Sequence, residues 1–271
     1  MRIEKNLRKR GSGQENVPTR VITSIEEWEV FAGPKLKKQW KEKRSACELA
    51  KAWLSTGSPA IPIDLCRLFA TCTLTQCMTV EVVHPEERIW FDEFSGEPRN
   101  TDLAFIGESA GKKVAVNIEA KADESFGNTL KGALAAAKKA FDANNKSKRR
   151  ERISQLTEAI FGTSGGTSPE ELLLRYQLLT AVAGAVAYAS EHKADIAVLV
   201  VHVFEPEGKK TKASERNDRD WAEFLAQLSR SCNTPLKGEG LEGPFLLPGG
   251  GRLEKGMPLL IGKVVTRLAK N

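Results

Sequence analysis

The sequence predicts an α/β fold, in which helices cover both faces of a mixed sheet of four or five strands. The clearest strand signal lies in residues 114–121, where apolar and polar side chains alternate with the two-residue period of a strand. A second signal is the near-continuous apolar run from Ile196 to Phe204, which is typical of a central strand. The segment from Pro169 to Glu191 is apolar on most faces and predicts a helix buried against the sheet.

Capping and turn signals divide the rest of the chain. Ser24-Ile25-Glu26-Glu27 has capping-box spacing, and Ser168-Pro169-Glu170-Glu171 combines an N-cap residue, a proline and first-turn acids. We expect the glycine-rich segment 162–167 to be a flexible linker. The predicted helices are 25–31, 35–54, 63–71, 124–145, 150–161, 169–191 and 218–230. The predicted strands are 77–83, 88–94, 101–105, 114–121, 196–204 and 259–268.

Composition excludes several classes of protein. No apolar run approaches the roughly 18 residues that cross a bilayer, and the first ten residues lack the apolar stretch of a signal peptide. The five cysteines are an odd number without C-x-x-C spacing, which favours free thiols in a reducing, cytoplasmic setting. The three histidines are far apart in the sequence, so a histidine-based zinc site is not expected.

Basic residues are concentrated in two segments. Residues 1–55 hold 13 of the 41 basic residues and 7 of the 35 acidic ones, so this segment alone carries the net charge of +6. A second cluster comprises Lys138, Lys139, Lys146, Lys148, Arg149, Arg150 and Arg152. Such clusters suit a polyanionic partner, since neutralised phosphates supply most of the energy of non-specific nucleic-acid binding. The alternative is that both clusters are solvated helix faces or part of a disordered tail.

Two acids and a lysine converge in a predicted hairpin. Folding residues 101–121 about residue 110 brings Asp102 opposite Ile118 or Glu119, and Lys121 shares the face of Glu119. Two such carboxylates repel each other unless a cation lies between them, so both should destabilise the metal-free fold. We expect Lys121 to face solvent and to contribute little packing. The alternative is a cross-strand ion pair on a solvated face, but here the residue opposite the acid is another acid.

This arrangement resembles the PD-(D/E)XK nuclease superfamily, which includes restriction endonucleases, junction resolvases and repair nucleases. The matching residues are Asp102 and Glu119-Ala120-Lys121, and Thr101 stands where the family has a proline. The resemblance implies a three-layer, restriction-endonuclease-like core over roughly residues 45–205. Gln177 is followed four residues later by Ala181, so the Q-x-x-x-Y motif of RecB-like relatives is absent.

The resemblance also implies a function and a set of site residues. It implies a cytoplasmic, metal-dependent nuclease, endo- or exo-acting, that hydrolyses nucleic acid, with DNA the expected substrate. Asp102, Glu119 and the Ala120 carbonyl would bind Mg²⁺, for which Mn²⁺ can substitute, and Lys121 would position water or stabilise charge. Glu48 on the first core helix is the candidate for a further acid at this site, with Glu81 as its competitor. The resemblance leaves a homodimer open.

Composition, the basic clusters and the same resemblance together predict domain boundaries and nucleic-acid contacts. We expect a flexible basic arm over 1–20, a nuclease-like domain over 21–205 with a helical insertion at about 124–165, and a C-terminal extension over 206–271 packed on it. The candidate nucleic-acid-binding residues are Lys35, Lys38, Lys41, Arg149, Arg150, Arg175 and Gln177. Arg175 and Gln177 could reach the scissile phosphate, support the metal ligands, or only contact solvent or nearby backbone.

Two other functions are compatible with the sequence. A nuclease-fold protein that binds without cleaving would keep the fold, but the intact Asp102, Glu119 and Lys121 argue against it. An unrelated α/β metabolic enzyme would have a deep closed pocket without a basic approach.

Overall fold

One mixed sheet organises the molecule. The computed structural model describes residues 1–7, 18–34, 40–55, 57–94, 96–163, 167–208 and 210–269. The strands in these residues are β1 (Arg2–Asn6), β2 (Thr19–Ile22), β3 (Thr79–Ile89), β4 (Arg99–Ser109), β5 (Lys112–Lys121), β6 (Ile196–Pro206), β7 (Glu242–Leu246) and β8 (Pro258–Leu268). Their order is β2-β1-β3-β4-β5-β6-β8-β7. The pairs β1–β3, β5–β6 and β6–β8 are parallel, and the other neighbours are antiparallel.

Helices cover both faces of this sheet. Among the described residues they are α1 (Ile25–Ala32), α2 (Ser45–Leu54), α3 (Ile63–Phe69), α4 (Leu130–Ala143), α5 (Arg149–Phe161), α6 (Tyr176–Glu191) and α7 (Lys212–Cys232). Apolar residues of α1, α2 and α3 form one core with one sheet face, and those of α4, α5, α6 and α7 form the other. No helix in the described ranges is long and apolar enough to span a membrane. All five cysteines are free thiols.

The mixed α/β class is confirmed, but the predicted size of the sheet is wrong. Eight strands pair within the described residues, rather than four or five. The segment Arg2–Asn6 was predicted to belong to a flexible arm; it forms β1 instead and pairs with both β2 and β3. Its alternation is too short and polar to predict a strand, and only Ile3 of β1 is fully buried. Residues 8–17 of the same predicted arm lie outside the described residues.

Several predicted boundaries are corrected. In place of the predicted strands 77–83 and 88–94 there is one strand, β3, which continues through Glu86 although that residue has a φ of 51°, and which ends at Ile89, so residues 90–94 are not in a strand. The predicted helix 35–54 begins only at Ser45, after a turn in which Lys43 has a φ of 64°; residues 35–39 are outside the described ranges. The predicted helix 124–145 begins at Leu130.

The helix predicted from Pro169 to Glu191 is interrupted. Ser168 and Glu171 do form the expected reciprocal cap, with N···O distances of 3.2 and 3.0 Å, but only a 3₁₀ turn over Glu171–Leu173 follows. Arg175 is then extended and forms a β-bridge with Thr129, so α6 starts at Tyr176. This interruption places Gln177 in the first turn of α6, where it contacts Glu119 near the end of β5.

The predicted hairpin is confirmed, and its turn is tighter than expected. The strands continue to Ser109 and from Lys112, and a two-residue turn joins them in which Ala110 and Gly111 have φ values of 50° and 72°. Both residues are left-handed, as a two-residue turn between twisted strands requires. Val114, Val116, Ile118 and Ala120 lie in the core under α2, as their alternation predicts.

Candidate functional site

The candidate site lies where β4 and β5 separate. At this end of the hairpin the last paired residues are Leu103 and Ile118. Asp102, which precedes Leu103, and Glu119, which follows Ile118, are therefore the first residues beyond the paired region. Beyond this point the Asp102 side chain replaces a strand contact, because its Oδ2 accepts the Ala120 backbone N–H at 2.6 Å. Thr101 accepts from Asn117 on the α6 side, whereas Leu103 packs in the core on the α2 side. The alternation of β4 therefore changes phase at Asp102.

Glu119 is buried and held by three donors. Its side chain is 3% exposed. The Lys121 amine donates to Oε1 at 2.5 Å and Gln177 Nε2 donates to the same oxygen at 2.6 Å, while Arg99 forms an ion pair with Oε2. Burial alone would raise the pKa of Glu119, but Lys121 and then Arg99 outweigh it and lower the pKa below its usual value. Glu119 is therefore ionised over the ordinary pH range.

Arg99 is a site residue that the sequence analysis missed. Its side chain is 7% exposed, and its second terminal nitrogen donates to Thr180 on α6 at 2.9 Å. Gly184 on α6 makes room for it, since a Cβ at that position would lie 2.9 Å from Arg99 Cδ. A glycine inside a helix that is otherwise rich in alanine and valine was the available signal, because it indicates close approach of another group.

Lys121 is buried, so the expectation that it faces solvent is wrong. Its side chain is 5% exposed, and its amine also lies 3.2 Å from the Ala120 carbonyl oxygen. Burial would lower the pKa of Lys121, but the neighbouring Glu119 and Asp102 carboxylates raise it above its usual value. Lys121 is therefore a charged ammonium in this state, which favours the role of charge stabiliser over that of base.

Asp102 has a different environment from Glu119. It is partly buried, and it borders an open cleft of about 520 Å³. Burial, and then the charge of Glu119, raise the pKa of Asp102 well above its usual value, and Lys121 offsets only part of this. The cleft is lined by Pro34, Arg44, Ser45, Ala46, Glu86, Asp102 and Glu124.

Glu86 and Glu124 are two further acids at this cleft that the sequence analysis missed. Glu86 faces Asp102 from β3, and its charge contributes to the raised pKa of Asp102. One carboxylate oxygen of Glu124 is buried and has no hydrogen-bond partner among the described residues. Glu124 lies just beyond the end of β5, and its proximity in sequence to Glu119 was the available signal. Glu86 is brought to the site by strand pairing, which no local pattern indicates.

The structure places Glu48 and Glu81 away from this cluster of contacts. The buried Glu48 carboxylate accepts the Lys43 backbone N–H at 2.7 Å and the Lys51 amine at 3.3 Å, so it stabilises the turn before α2. Glu81 is exposed and lines a separate cleft beside His84 and His192. Within the described part of the chain, no three histidine, cysteine, aspartate or glutamate side chains converge as a metal-binding group. A ligand role for Glu48 remains a prediction.

The predicted nucleic-acid-binding residues occupy different surroundings. Lys35 and Lys38 lie outside the described residues, and Lys41 is exposed in the turn before α2. Arg149 and Arg150 are exposed at the start of α5. Arg175 donates to the Gly127 carbonyl at 2.8 Å and pairs with Asp220 at 2.8 Å, so it already joins three segments of the fold. Gln177 contacts Glu119, which is the supporting position that the sequence analysis had left open.

Comparison with known proteins gives a family without a known function. A family model described as a domain of unknown function, DUF6946, matches residues 21–268. The match spans most of the chain, so the chain belongs to this family. No curated protein and no solved structure matches it.

Proposed function

We propose that this member of the DUF6946 family is a metal-dependent nuclease with a restriction-endonuclease-like core, hydrolysing phosphodiester bonds of nucleic acid. The observation that carries the proposal is the meeting of Asp102, Glu119 and Lys121 where β4 and β5 separate, beside an open cleft. A simple structural ion pair would explain why Glu119 and Lys121 are in contact. It does not explain a second carboxylate, Asp102, whose pKa is raised well above its usual value by burial and then by the charge of Glu119.

The side chains at the cleft fit a hard divalent cation. The ionised form of Asp102 is poorly compensated, since burial and then the charge of Glu119 raise its pKa, and a buried Glu124 oxygen lacks a hydrogen-bond partner among the described residues. Mg²⁺ prefers such oxygen ligands, together with water and substrate phosphate. Asp102 and Glu119 would hold the ion, with the Ala120 carbonyl and Glu124 as further ligands. When bound, the ion would polarise the phosphoryl group and lower the pKa of a coordinated water.

The chain's own residues would supply orientation and charge. In hydrolysis, a water oxygen bonds to phosphorus and loses a proton to solvent, while the bond to the leaving oxygen breaks and that oxygen takes a proton from solvent. The Lys121 ammonium, fixed against Glu119, would offset the negative charge that develops on the phosphoryl oxygens. Lys121 and Arg99 would keep Glu119 ionised, and Gln177 would help to fix its orientation. Arg44 at the cleft would attract the phosphate backbone, although it also pairs with Asp123 at 2.8 Å.

One observation favours a second candidate, a nucleic-acid-binding protein that does not cleave. Both oxygens of Glu119 are already engaged, by Arg99 on one side and by Lys121 and Gln177 on the other. An ion that uses Glu119 must therefore share an oxygen with one of these donors or displace it. If none of these donors shares its oxygen or is displaced, Glu119 is a purely structural anion.

The test is a cleavage assay on single-stranded DNA, duplex DNA and RNA with Mg²⁺ or Mn²⁺, with and without chelator. We expect cleavage that chelator abolishes, and Lys121→Met should reduce its rate about 100-fold or more, the usual effect of losing one transition-state donor. The matched control is Lys138→Met, which removes an exposed lysine paired with Asp142 on α4. Cleavage that survives Lys121→Met would contradict the proposal, and binding without any cleavage would favour the second candidate.

A further inference from the structure

The hairpin of α4 and α5 carries a concentrated positive charge. Residues 131–152 contain eight basic and two acidic residues, which gives a net charge of +6. Both acids are used locally, since Asp142 pairs with Lys138 at 2.7 Å and Glu151 pairs with Lys148 at 3.0 Å. Arg152 is paired with Asp92. The remaining basic side chains have no carboxylate partner among the described residues; they are Lys131, Lys139, Lys146, Arg149 and Arg150.

An open groove lies between these two helices, within the charged surface. Its volume is about 430 Å³, and it is lined by Leu134, Phe141, Arg150, Glu151, Ile153, Ser154 and Thr167. Phe141 is 41% exposed, so a large aromatic ring stands at the edge of the groove instead of in the core. The groove thus combines an aromatic face, a guanidinium and two hydroxyls, within a helical hairpin of net charge +6.

We propose that this groove binds an unpaired base of single-stranded nucleic acid, with the base stacked on Phe141 and the neighbouring phosphates held by Arg150 and by Lys146 in the turn between α4 and α5. Aromatic side chains within a basic groove are the usual means of binding single strands, since every base offers a face for stacking. A duplex would meet the cations only, because its bases are already stacked and paired. An anionic membrane would require a wider apolar surface than one exposed ring.

The groove is connected to the candidate site through α6. Arg149, the first residue of α5, lies close enough to Tyr176 to affect its phenol electrostatically. Tyr176 is the first residue of α6, and the next residue, Gln177, donates to Glu119. This inference rests on the proposed function for its substrate class, and it specifies that the substrate is single-stranded at this position.

The test measures binding separately from cleavage. The full chain is titrated into fluorescently labelled single-stranded and duplex oligonucleotides in chelator, and anisotropy is recorded at several salt concentrations. We expect Phe141→Ala to weaken single-strand binding about tenfold, the order expected from the loss of one stacked base. Arg150→Ala should lower the slope of log affinity against log salt by about 0.7, which corresponds to one phosphate contact on a single strand.

Two control variants match the exposure of the tested residues. Leu236→Ala removes an apolar side chain that is also 41% exposed, far along the chain from the groove. Arg67→Ala removes an exposed arginine on α3, which covers the opposite face of the sheet. Neither should change binding, and circular dichroism should show that all four variants remain folded, because each position is exposed.

The outcomes distinguish this inference from the proposed function. The groove is contradicted if Phe141→Ala binds like the unmodified protein, if duplex binds as tightly as single strand, or if the protein binds only anionic vesicles. If cleavage is observed but Phe141→Ala binds normally, the nuclease proposal stands and the groove fails. If Phe141→Ala weakens binding but no cleavage is ever observed, the proposal that the groove binds single strands is supported and the nuclease proposal is contradicted.

Discussion

The surroundings of Glu119 and Asp102 differ, although the two carboxylates belong to adjacent positions on neighbouring strands. Glu119 is buried on the α6 side and bound by Lys121, Arg99 and Gln177; burial would raise its pKa, but Lys121 and then Arg99 lower it. Asp102 faces the cleft, accepts the Ala120 N–H, and has its pKa raised. Glu119 is therefore electrostatically satisfied in the metal-free protein, whereas Asp102 would gain most from a cation. We therefore now expect only Asp102 to destabilise the metal-free fold, whereas the sequence alone predicts this effect for both acids.

The largest stability effect should come from removing the buried partner of Glu119. Arg99→Ala leaves a buried carboxylate with one cation fewer, so we expect the free energy of unfolding to fall by about 3–5 kcal/mol. Urea denaturation at neutral pH measures this change. The exposed pair of Lys138 and Asp142 is the control, and Lys138→Ala should cost no more than about 0.5 kcal/mol. A loss below about 1 kcal/mol for Arg99→Ala would mean that Arg99 does not anchor Glu119.

Replacing each acid by its neutral isostere should change the free energy of unfolding in opposite directions. Glu119→Gln leaves Arg99 and Lys121 buried without their anion and should destabilise the protein by several kcal/mol. Asp102→Asn keeps an oxygen for the Ala120 N–H and removes the repulsion from Glu119, so it should raise the free energy of unfolding in the absence of metal. Destabilisation by both variants, measured in chelator, would show that the two environments do not differ as described.

The pH dependence of stability should follow the same difference. Because the folded pKa of Asp102 is raised, its contribution is fully present below the unfolded value of about 3.9 and is lost as pH rises through the folded pKa. Glu119 has a lowered folded pKa, so its contribution is present above about 4.3 and is lost as pH falls through the folded value. The stability advantage of Asp102→Asn over the unmodified protein should therefore grow from pH 4 to pH 8. A stability advantage that shrinks over this range would contradict a raised pKa for Asp102 in the folded protein.

Two helix glycines provide a smaller and sharper test. Gly184→Ala places a Cβ 2.9 Å from Arg99 Cδ, so overpacking of about 1–3 kcal/mol should outweigh the gain in helix propensity. Gly132→Ala on α4 meets its nearest neighbour at an ordinary 3.5 Å and should stabilise the protein by about 0.5–1 kcal/mol. Thermal denaturation compares the two variants. Equal stabilisation by both would mean that α6 does not need a glycine to accommodate Arg99.

The sequence predicted the part of the site that depends on local alternation. Asn117, Glu119 and Lys121 are separated from the apolar face of β5 by a simple two-residue period, and the hairpin brings Asp102 beside them. Arg99 could not be placed in this way, because the alternation of β4 changes phase at Asp102. A pattern extended from Leu103 back to Arg99 assigns Arg99 to the wrong face.

The remaining differences arise from contacts between distant segments. Gln177 reaches Glu119 because a backbone bridge between Thr129 and Arg175 delays the start of α6. The strand β1 is short and polar, and its place in the sheet depends on pairing with β3, which lies about 80 residues away. Such pairing leaves no periodic signal in the strand itself, so the sheet was predicted to be smaller than it is.

The most direct test of the metal site is Mn²⁺ binding measured by electron paramagnetic resonance, in which the signal of free aqueous Mn²⁺ disappears when the ion binds. We predict that the unmodified protein removes this signal, that Asp102→Asn and Glu119→Gln restore it, and that Phe141→Ala leaves binding unchanged. A protein that leaves the free Mn²⁺ signal intact at millimolar concentration, or an Asp102→Asn variant that binds as well as the unmodified protein, would contradict the proposal that Asp102 and Glu119 hold a divalent cation.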